Sequence, residues 1–294
     1  MNRLAALLGA DRPVLLDGGM GTLLQDSGLE DGAPGELWNL EAPDRVRAAH
    51  AAYAEAGARV LTTNTFGGTR PRLDMHGLGD RLAEVNRTAA QVARSVADER
   101  GLLVAGDLGP TGELLAPLGA MTAEDAQALF AEQLAALVEG GVDLVLIETL
   151  SDLGEADAAL AAVRDVAPDL PVVVTMSFDT NLRTMMGVRP GDAVAHLAAA
   201  GADAVGANCG RGPVEMEIIA AEMAQARTDD ILLVAQSNAG LPQVVGDHFE
   251  YDATAGDMAS HAARLAELGI DLVGGCCGST PAHIAAMGAT LTPA

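Results

Sequence analysis

The sequence predicts an α/β fold, a single closed (β/α)8 barrel in which eight parallel strands alternate with eight helices. Three observations carry that expectation. Eight short apolar runs recur along the chain, and the stretches between them are Ala-rich and amphipathic. The 294 residues are also close to the ~250 that such TIM barrels usually occupy.

The runs are VLLDGG (14–19), VLTTNTF (60–66), LLVAGDLG (102–109), LVLIETL (144–150), VVVTMSF (172–178), AVGANCG (204–210), LLVAQSNAG (232–240) and LVGGCCG (272–278). Continuous apolar runs bounded by glycine fit strands covered on both faces, as in a parallel sheet. Helices are expected at 43–57, 80–99, 122–140, 154–166, 191–200, 213–227, 255–269 and 281–288. Thr122 with Asp125, and Pro281 after Ser279-Thr280, have the character of helix starts. Gly57, Gly140-Gly141, Gly201 and Gly269 mark helix ends. The alternative fold is a doubly wound sheet, which needs a Gly-rich dinucleotide loop after an early strand; no G-x-G-x-x-G is present.

With 49% apolar residues and only 2% aromatic ones, a core is affordable but must be built from Ala, Val and Leu. The formal charge of -24 argues against nucleic acid and against an anionic membrane face, because both would repel the whole surface. The apolar run at the N-terminus is too short to span a bilayer and is interrupted by Asp11 and Arg12. A cytoplasmic protein is therefore expected. Three cysteines, two of them adjacent, do not make a disulfide framework.

In a barrel every strand end meets at one mouth, where such folds place their chemistry. Here those ends carry Asp17-Gly18-Gly19, Asn64-Thr65, Asp107, Glu148-Thr149, Ser177, Asn208-Cys209, Ser237-Asn238 and Cys276-Cys277. Polar residues often do no more than terminate apolar strands, yet this set holds every cysteine in the chain. Cys209 ends the sixth run and Cys276-Cys277 the eighth, so one strand, or ~10 Å of backbone, separates them. Three thiolates suit Zn2+. Neighbouring strand residues point to opposite faces, so Cys276 and Cys277 share an ion only where the flanking glycines bend the backbone. Burial as small hydrophobes is the alternative fate of free cysteines. A Zn2+ with three thiolates carries a net charge of -1, which blunts its action on water but still lowers the pKa of a fourth sulfur. That favours sulfur alkylation over hydrolysis. A zinc hydrolase or deaminase on the same barrel is the competing class. It predicts histidines at the strand ends, where this sequence has none.

Five motifs carry a resemblance: D-G-G-M-G-T (17–22), T-N-T-F-G-G (63–68), G-D-L-G-P-T-G-E (106–113), G-A-N-C-G (206–210) and G-G-C-C-G-S-T-P-A-H-I (274–284). From end to end, 1–294, the chain resembles the homocysteine S-methyltransferase family. The stretch T-M-S-F-D-T-N-L-R-T-M-M-G-V (175–188), with E-L-W-N (36–39), is most similar to its bacterial betaine–homocysteine members. The resemblance implies a zinc barrel in which homocysteine sulfur completes a tetrahedron begun by Cys209, Cys276 and Cys277. Asn238 would take the fourth position when substrate is absent. Asp17 and Glu148 would hold the ammonium group of homocysteine, with Gly18, Gly19 and Thr65 close by. Taken without the resemblance, Asp17 also reads as a turn residue and Glu148 as a buried ion-pair partner.

The implied product is methionine and the implied donor is cationic. Quaternary ammonium and sulfonium groups are already activated as leaving groups, and aromatic faces hold such cations. Trp38 aligns with the donor-binding tryptophan of betaine enzymes; packing on the barrel is its other reading. A second aromatic of the animal cage falls near Thr149, which leaves Tyr251, Phe249 and Phe66 as substitutes. Glycine betaine is the favoured donor, with S-methylmethionine, S-adenosylmethionine or a methyl-corrinoid protein as alternatives. Asp74-Met75-His76-Gly77-Leu78-Gly79 spells the cobalamin-ligand pattern D-x-H-x-x-G, but between a strand and its helix rather than in a separate doubly wound domain. It is read as coincidence. Oligomeric state is not legible.

Overall fold

The computed structural model describes residues 2–9, 13–30, 32–228, 230–245 and 248–291. Asp11, Arg12 and the side chain of Phe249 fall outside that description. Chain order begins α1 (Arg3–Leu8), β1 (Val14–Leu15), α2 (Met20–Asp26), α3 (Trp38–Glu41), α4 (Pro43–Glu55), β2 (Val60–Thr62), α5 (Arg70–Asp74) and α6 (Leu82–Arg100). It continues with β3 (Leu103–Leu108), α7 (Ala123–Gly140), β4 (Leu144–Leu150), α8 (Leu153–Val166), β5 (Val172–Met176), α9 (Pro190–Ala199), β6 (Ala204–Cys209) and α10 (Pro213–Gln225). The last elements are β7 (Leu232–Ser237), β8 (Gln243–Val245), β9 (His248–Glu250), α11 (Ala255–Glu267), β10 (Leu272–Gly275) and α12 (Pro281–Leu291).

Eight strands pair in parallel in the order β1-β10-β7-β6-β5-β4-β3-β2. Arg59 N donates to Leu15 O at 2.8 Å and Leu16 bridges Val60 in parallel, so the two ends of the sheet meet. The result is the (β/α)8 barrel, with β8 and β9 forming a separate hairpin after β7. A doubly wound sheet is ruled out, because its chain would reverse direction across an open edge.

The local signals explain the helix boundaries. Thr122 and Thr254 each close a capping box, with Asp125 and Asp257, satisfying donors that a helix start leaves free. Gly141 ends α7 in the left-handed region at φ 92°, which glycine enters without strain. Alanine faces on α6 and α7 let the helices lie close: a Cβ on Gly140 would stand 2.4 Å from the Ala90 Cβ.

Two layers of core result. Helices pack outside the strands on the larger apolar cluster, and inward residues such as Val60, Leu146, Ala204 and Val234 fill the barrel. Leu4 and Leu8 of α1 join that inner cluster, so the short N-terminal helix plugs the end opposite the site. No helix among the described residues is long and apolar enough to cross a membrane.

Candidate metal and substrate site

Strand alternation builds the floor of the mouth. Counting by twos from the inner apolar layer, Val60 leads to Thr62, Ala105 to Asp107, Leu146 to Glu148, Val173 to Thr175, Ala204 through Gly206 to Asn208, and Val234 to Gln236. Most of these polar residues line a cavity of about 440 Å3, together with Asp17, Gly18, Gly19, Thr65 and the three cysteines. Such a volume suits a small ligand.

Cys209 sits at the end of β6 with φ 58°, a left-handed backbone that costs a non-glycine residue ~1–2 kcal/mol. Cys276 and Cys277 lie in the turn after β10, outside the strand alternation. Cys276 N donates to Ser237 O at 2.9 Å, and Cys277 N to Asn238 Oδ1 at 3.0 Å. The sulfurs of Cys209 and Cys276 are 3.0 Å apart, those of Cys276 and Cys277 4.0 Å, and all three lie within 4.8 Å of one another. Sulfurs bound 2.3 Å from a tetrahedral zinc stand about 3.8 Å apart, so the spacings bracket what a metal requires. Among the described residues no histidine joins this cluster.

The thiols also share charge as a metal site should. Hydrogen bonds from Cys209 and Cys276, and one from the Tyr251 hydroxyl, push the Cys277 thiol down to about 3. Hydrogen bonds with Cys209 and Cys277, then burial and the neighbouring sulfur charge, hold the Cys276 thiol well above the usual range. At Cys209 a bond with Cys276 pulls the other way, but the bond with Cys277, burial and nearby negative charge outweigh it and raise that thiol as well. One thiolate among two thiols is the arrangement a cation converts to three thiolates.

Asn208 is the hub of the floor. Its amide nitrogen donates to Thr149 Oγ1 at 2.6 Å and Glu148 Oε2 at 3.3 Å, and both cysteine sulfurs lie near it, at 3.8 and 3.9 Å. Its oxygen accepts from Thr149 N and Thr175 Oγ1, each at 2.9 Å. Thr149 has φ 61° beside a register shift in β4, and this amide satisfies its redirected N–H.

Asp17 is buried, and its oxygens accept Thr62 N at 2.6 Å and Thr62 Oγ1 at 2.8 Å. Burial outweighs those bonds and lifts its carboxyl to about 6. Glu148 rises to about 8, first through burial and then through the charges of Cys277 and Asp17. Gly18 and Gly19 pack where no side chain fits: added Cβ atoms would lie 2.6 Å from Ser279 O and Cys276 O respectively. The Thr65 hydroxyl is engaged by Thr63 Oγ1 and Asp107 O. Asn238 spans two turns, donating to Gly210 O at 2.8 Å while accepting Cys277 N.

Trp38 is not among the residues lining this cavity. It packs with the Leu24, Leu29 and Val46 cluster, and the Arg45 guanidinium lies 4.9 Å from its ring centroid. Phe66 and His76 do reach the cavity lining, His76 as an exposed residue. The sequence reading passed over Gln236, Thr62 and the bridging role of Asn208. The two-residue alternation from Val234, Val60 and Ala204 was the signal for all three.

The family model described as Homocysteine S-methyltransferase matches residues 14–291. Methionine synthases of Mycobacterium leprae (strain TN) and Mycobacterium tuberculosis (strain ATCC 25618 / H37Rv) are each 34% identical over 291 residues. These alignments take in 94% of this chain and 24% of theirs, so the chain spans about a quarter of the length of these curated relatives. Among solved structures, the metallated form of the homocysteine methyltransferase MmuM from Escherichia coli superposes with a TM-score of 0.82 at 27% identity, over 98% of this chain and 99% of that one. Its apo form gives 0.77 at 26% identity, over 98% and 100%.

Proposed function

The chain belongs to the homocysteine S-methyltransferase family of transferases, and from that premise we propose that it moves a methyl group from a cationic donor to the sulfur of homocysteine, giving methionine. The observation that carries this reading is the meeting of three sulfurs and two inward carboxylates in one cavity. Cys209, Cys276 and Cys277 would hold Zn2+. When bound, the metal lowers the pKa of a fourth sulfur ligand, so that homocysteine is a thiolate at neutral pH. Asn238 Oδ1 keeps a second lone pair and would fill the fourth position without substrate.

Asp17 and Glu148 hold the ammonium group, whose positive charge draws both raised carboxyls back to their ionised forms. Gly18 and Gly19 bring bare backbone to the substrate beside Thr65, and Asn208 keeps Glu148 and the sulfurs in register. The substrate sulfur then attacks the donor methyl carbon in line. A carbon–sulfur bond forms, and the electron pair of the broken bond stays on the donor's nitrogen or sulfur. No general base is needed, since the thiol proton leaves on binding.

Support for a cationic donor is the buried Glu36 carboxylate, which lines the cavity apart from the groups facing the ammonium. Glycine betaine is the donor to test first. Trp38 would serve it only after Arg45 leaves its ring. S-methylmethionine and S-adenosylmethionine are the other cationic arms, and a methyl-corrinoid protein lies outside that class. Methionine formation from zinc-loaded protein, homocysteine and each donor separates them; no product with any cation refutes the donor assignment. Free thiols at a metal centre suit a reducing compartment, and the cytoplasm is the assigned location.

A further inference from the structure

Two buried acceptors in the cavity have nothing to accept. Asp107 is 2% exposed, its Oδ1 has no hydrogen-bond partner, and no donor among the described residues reaches Oδ2. Its backbone N–H and carbonyl are used by Thr63, Thr65 and Gln133, so the carboxylate is not needed to hold the local chain. Gln236, 4% exposed, has an equally orphaned Oε1. Folded proteins leave few such atoms unpaired, and each one calls for an explanation.

Both residues face inward one step above the apolar filling of the barrel, in the layer of Glu148, and both line the cavity. Asp107 stands on β3 next to Glu148 on β4, while Gln236 on β7 comes from four strands round the ring. Asp17 already uses its oxygens on Thr62, and Glu148 has a single long bond from Asn208.

Acceptors without donors specify their ligand. A sulfonium or quaternary ammonium has no N–H to give, whereas a primary ammonium has three. Two carboxylates satisfy two of them. We propose that Asp107 receives the third N–H of the bound amino acid's α-ammonium, with Gln236 as a further acceptor, and so selects α-amino thiols over thiols that lack the amine. The socket then holds three carboxylates, Asp17, Asp107 and Glu148, around one cation. The inference rests on the homocysteine reading and extends it to a residue outside the ammonium pair that the sequence suggested.

Calorimetric titration of zinc-loaded protein with homocysteine and with 4-mercaptobutanoate, the same thiol without its amine, tests the assignment. The wild type prefers homocysteine by at least 100-fold. Asp107→Asn weakens homocysteine at least tenfold and leaves 4-mercaptobutanoate within twofold, with zinc content unchanged. Equal preference in variant and wild type overturns the proposal. Should Asp107→Asn not retain zinc, two other measurements decide it. Gln236→Met lowers homocysteine affinity about threefold, and N,N-dimethylhomocysteine, with one N–H in place of three, binds the wild type at least tenfold more weakly than homocysteine. Failure of both overturns it equally. A wild type that binds neither thiol refutes the homocysteine reading itself, whereas one that binds both alike refutes ammonium recognition alone.

Discussion

Asp17→Asn separates the binding role proposed for this carboxylate from what it does to the fold. The substitution is nearly isosteric: the amide oxygen can accept Thr62 N–H, and the amide nitrogen can donate to Thr62 Oγ1, so both local contacts survive. Only the charge is lost. The folded carboxyl sits at about 6 against an ordinary 3.8 because of burial. At 1.36 kcal/mol per pKa unit that is about 3 kcal/mol. The sign follows from linkage. The unfolded chain gives up its proton first, so wild-type stability falls as pH rises from about 4 to about 6, and the deficit is complete above that. The variant should therefore be more stable than the wild type by up to about 3 kcal/mol at pH 8 and by less than about 1 kcal/mol at pH 4. Urea denaturation without homocysteine reads both values. Catalysis moves the other way: a lost charged hydrogen bond, about 1.5–3 kcal/mol, raises KM for homocysteine about 10- to 150-fold. A variant less stable than wild type at pH 8, or one with an unchanged KM, would refute the reasoning.

Three further outcomes are expected. His50 is wholly buried with both ring nitrogens unpartnered, and burial lowers its pKa from 6.5 to about 4. The unfolded chain then binds the proton first on acidification, so stability is lost as pH falls through 6.5 towards 4. In urea melts His50→Met should lose about 2 kcal/mol less than wild type between pH 7.5 and 5; parallel losses in both proteins would contradict this. Cys209→Ser should lower zinc stoichiometry, measured by metal analysis, and abolish turnover together with it. Turnover that survives complete zinc loss contradicts the metal assignment. Trp38→Leu should lower Tm by several degrees through lost packing and the lost Arg45 contact, about 2 kcal/mol in all. If glycine betaine is a substrate, an unchanged KM for it in this variant removes Trp38 from the donor site.

Strand and helix positions were legible because a parallel barrel writes them twice, as continuous apolar runs and as the caps between them. All eight expected helices match observed ones to within a few residues. What the sequence hid was short or irregular. Helix α1 is too brief for periodicity, yet its Leu4 and Leu8 close the bottom of the barrel. The first strand registers over Val14–Leu15 with one bridge at Leu16, while the VLLDGG run is longer, because Asp17 and the two glycines turn toward the cavity. The cysteines were legible as a group, since each lies at or just past the end of a strand in a glycine setting. Their backbone was not. The left-handed φ of Cys209 and the Thr149 bulge held by Asn208 are tertiary compromises, written in no local propensity. Trp38 is a residue type suited to a cation, placed by alignment, and what no local signal told is that the Arg45 guanidinium lies over its ring.

The site gathers like charges where burial makes them expensive, and that explains what the bound state must supply. Asp17, Asp107 and Glu148 are each pushed toward their neutral forms by burial, and for Asp107 and Glu148 by neighbouring negative groups as well. Two of the three thiols are held protonated by hydrogen bonding within the cluster, with burial and nearby negative charge added. Cations reverse this: a divalent metal among the sulfurs ionises the thiols, and an ammonium among the carboxylates ionises the acids. Metal and ligand binding at this site should therefore stabilise the fold. A ligand at 100 times its Kd stabilises by about 2.7 kcal/mol. At roughly 2–4 °C per kcal/mol for a chain approaching this size, that raises Tm by about 5–10 °C. Homocysteine should give this shift in zinc-loaded protein and a much smaller one in protein stripped of metal, because without zinc only its ammonium end has a partner. An equal shift in the two preparations would mean that the sulfur is not held at the cysteines, and the link between metal and acceptor would fall with it.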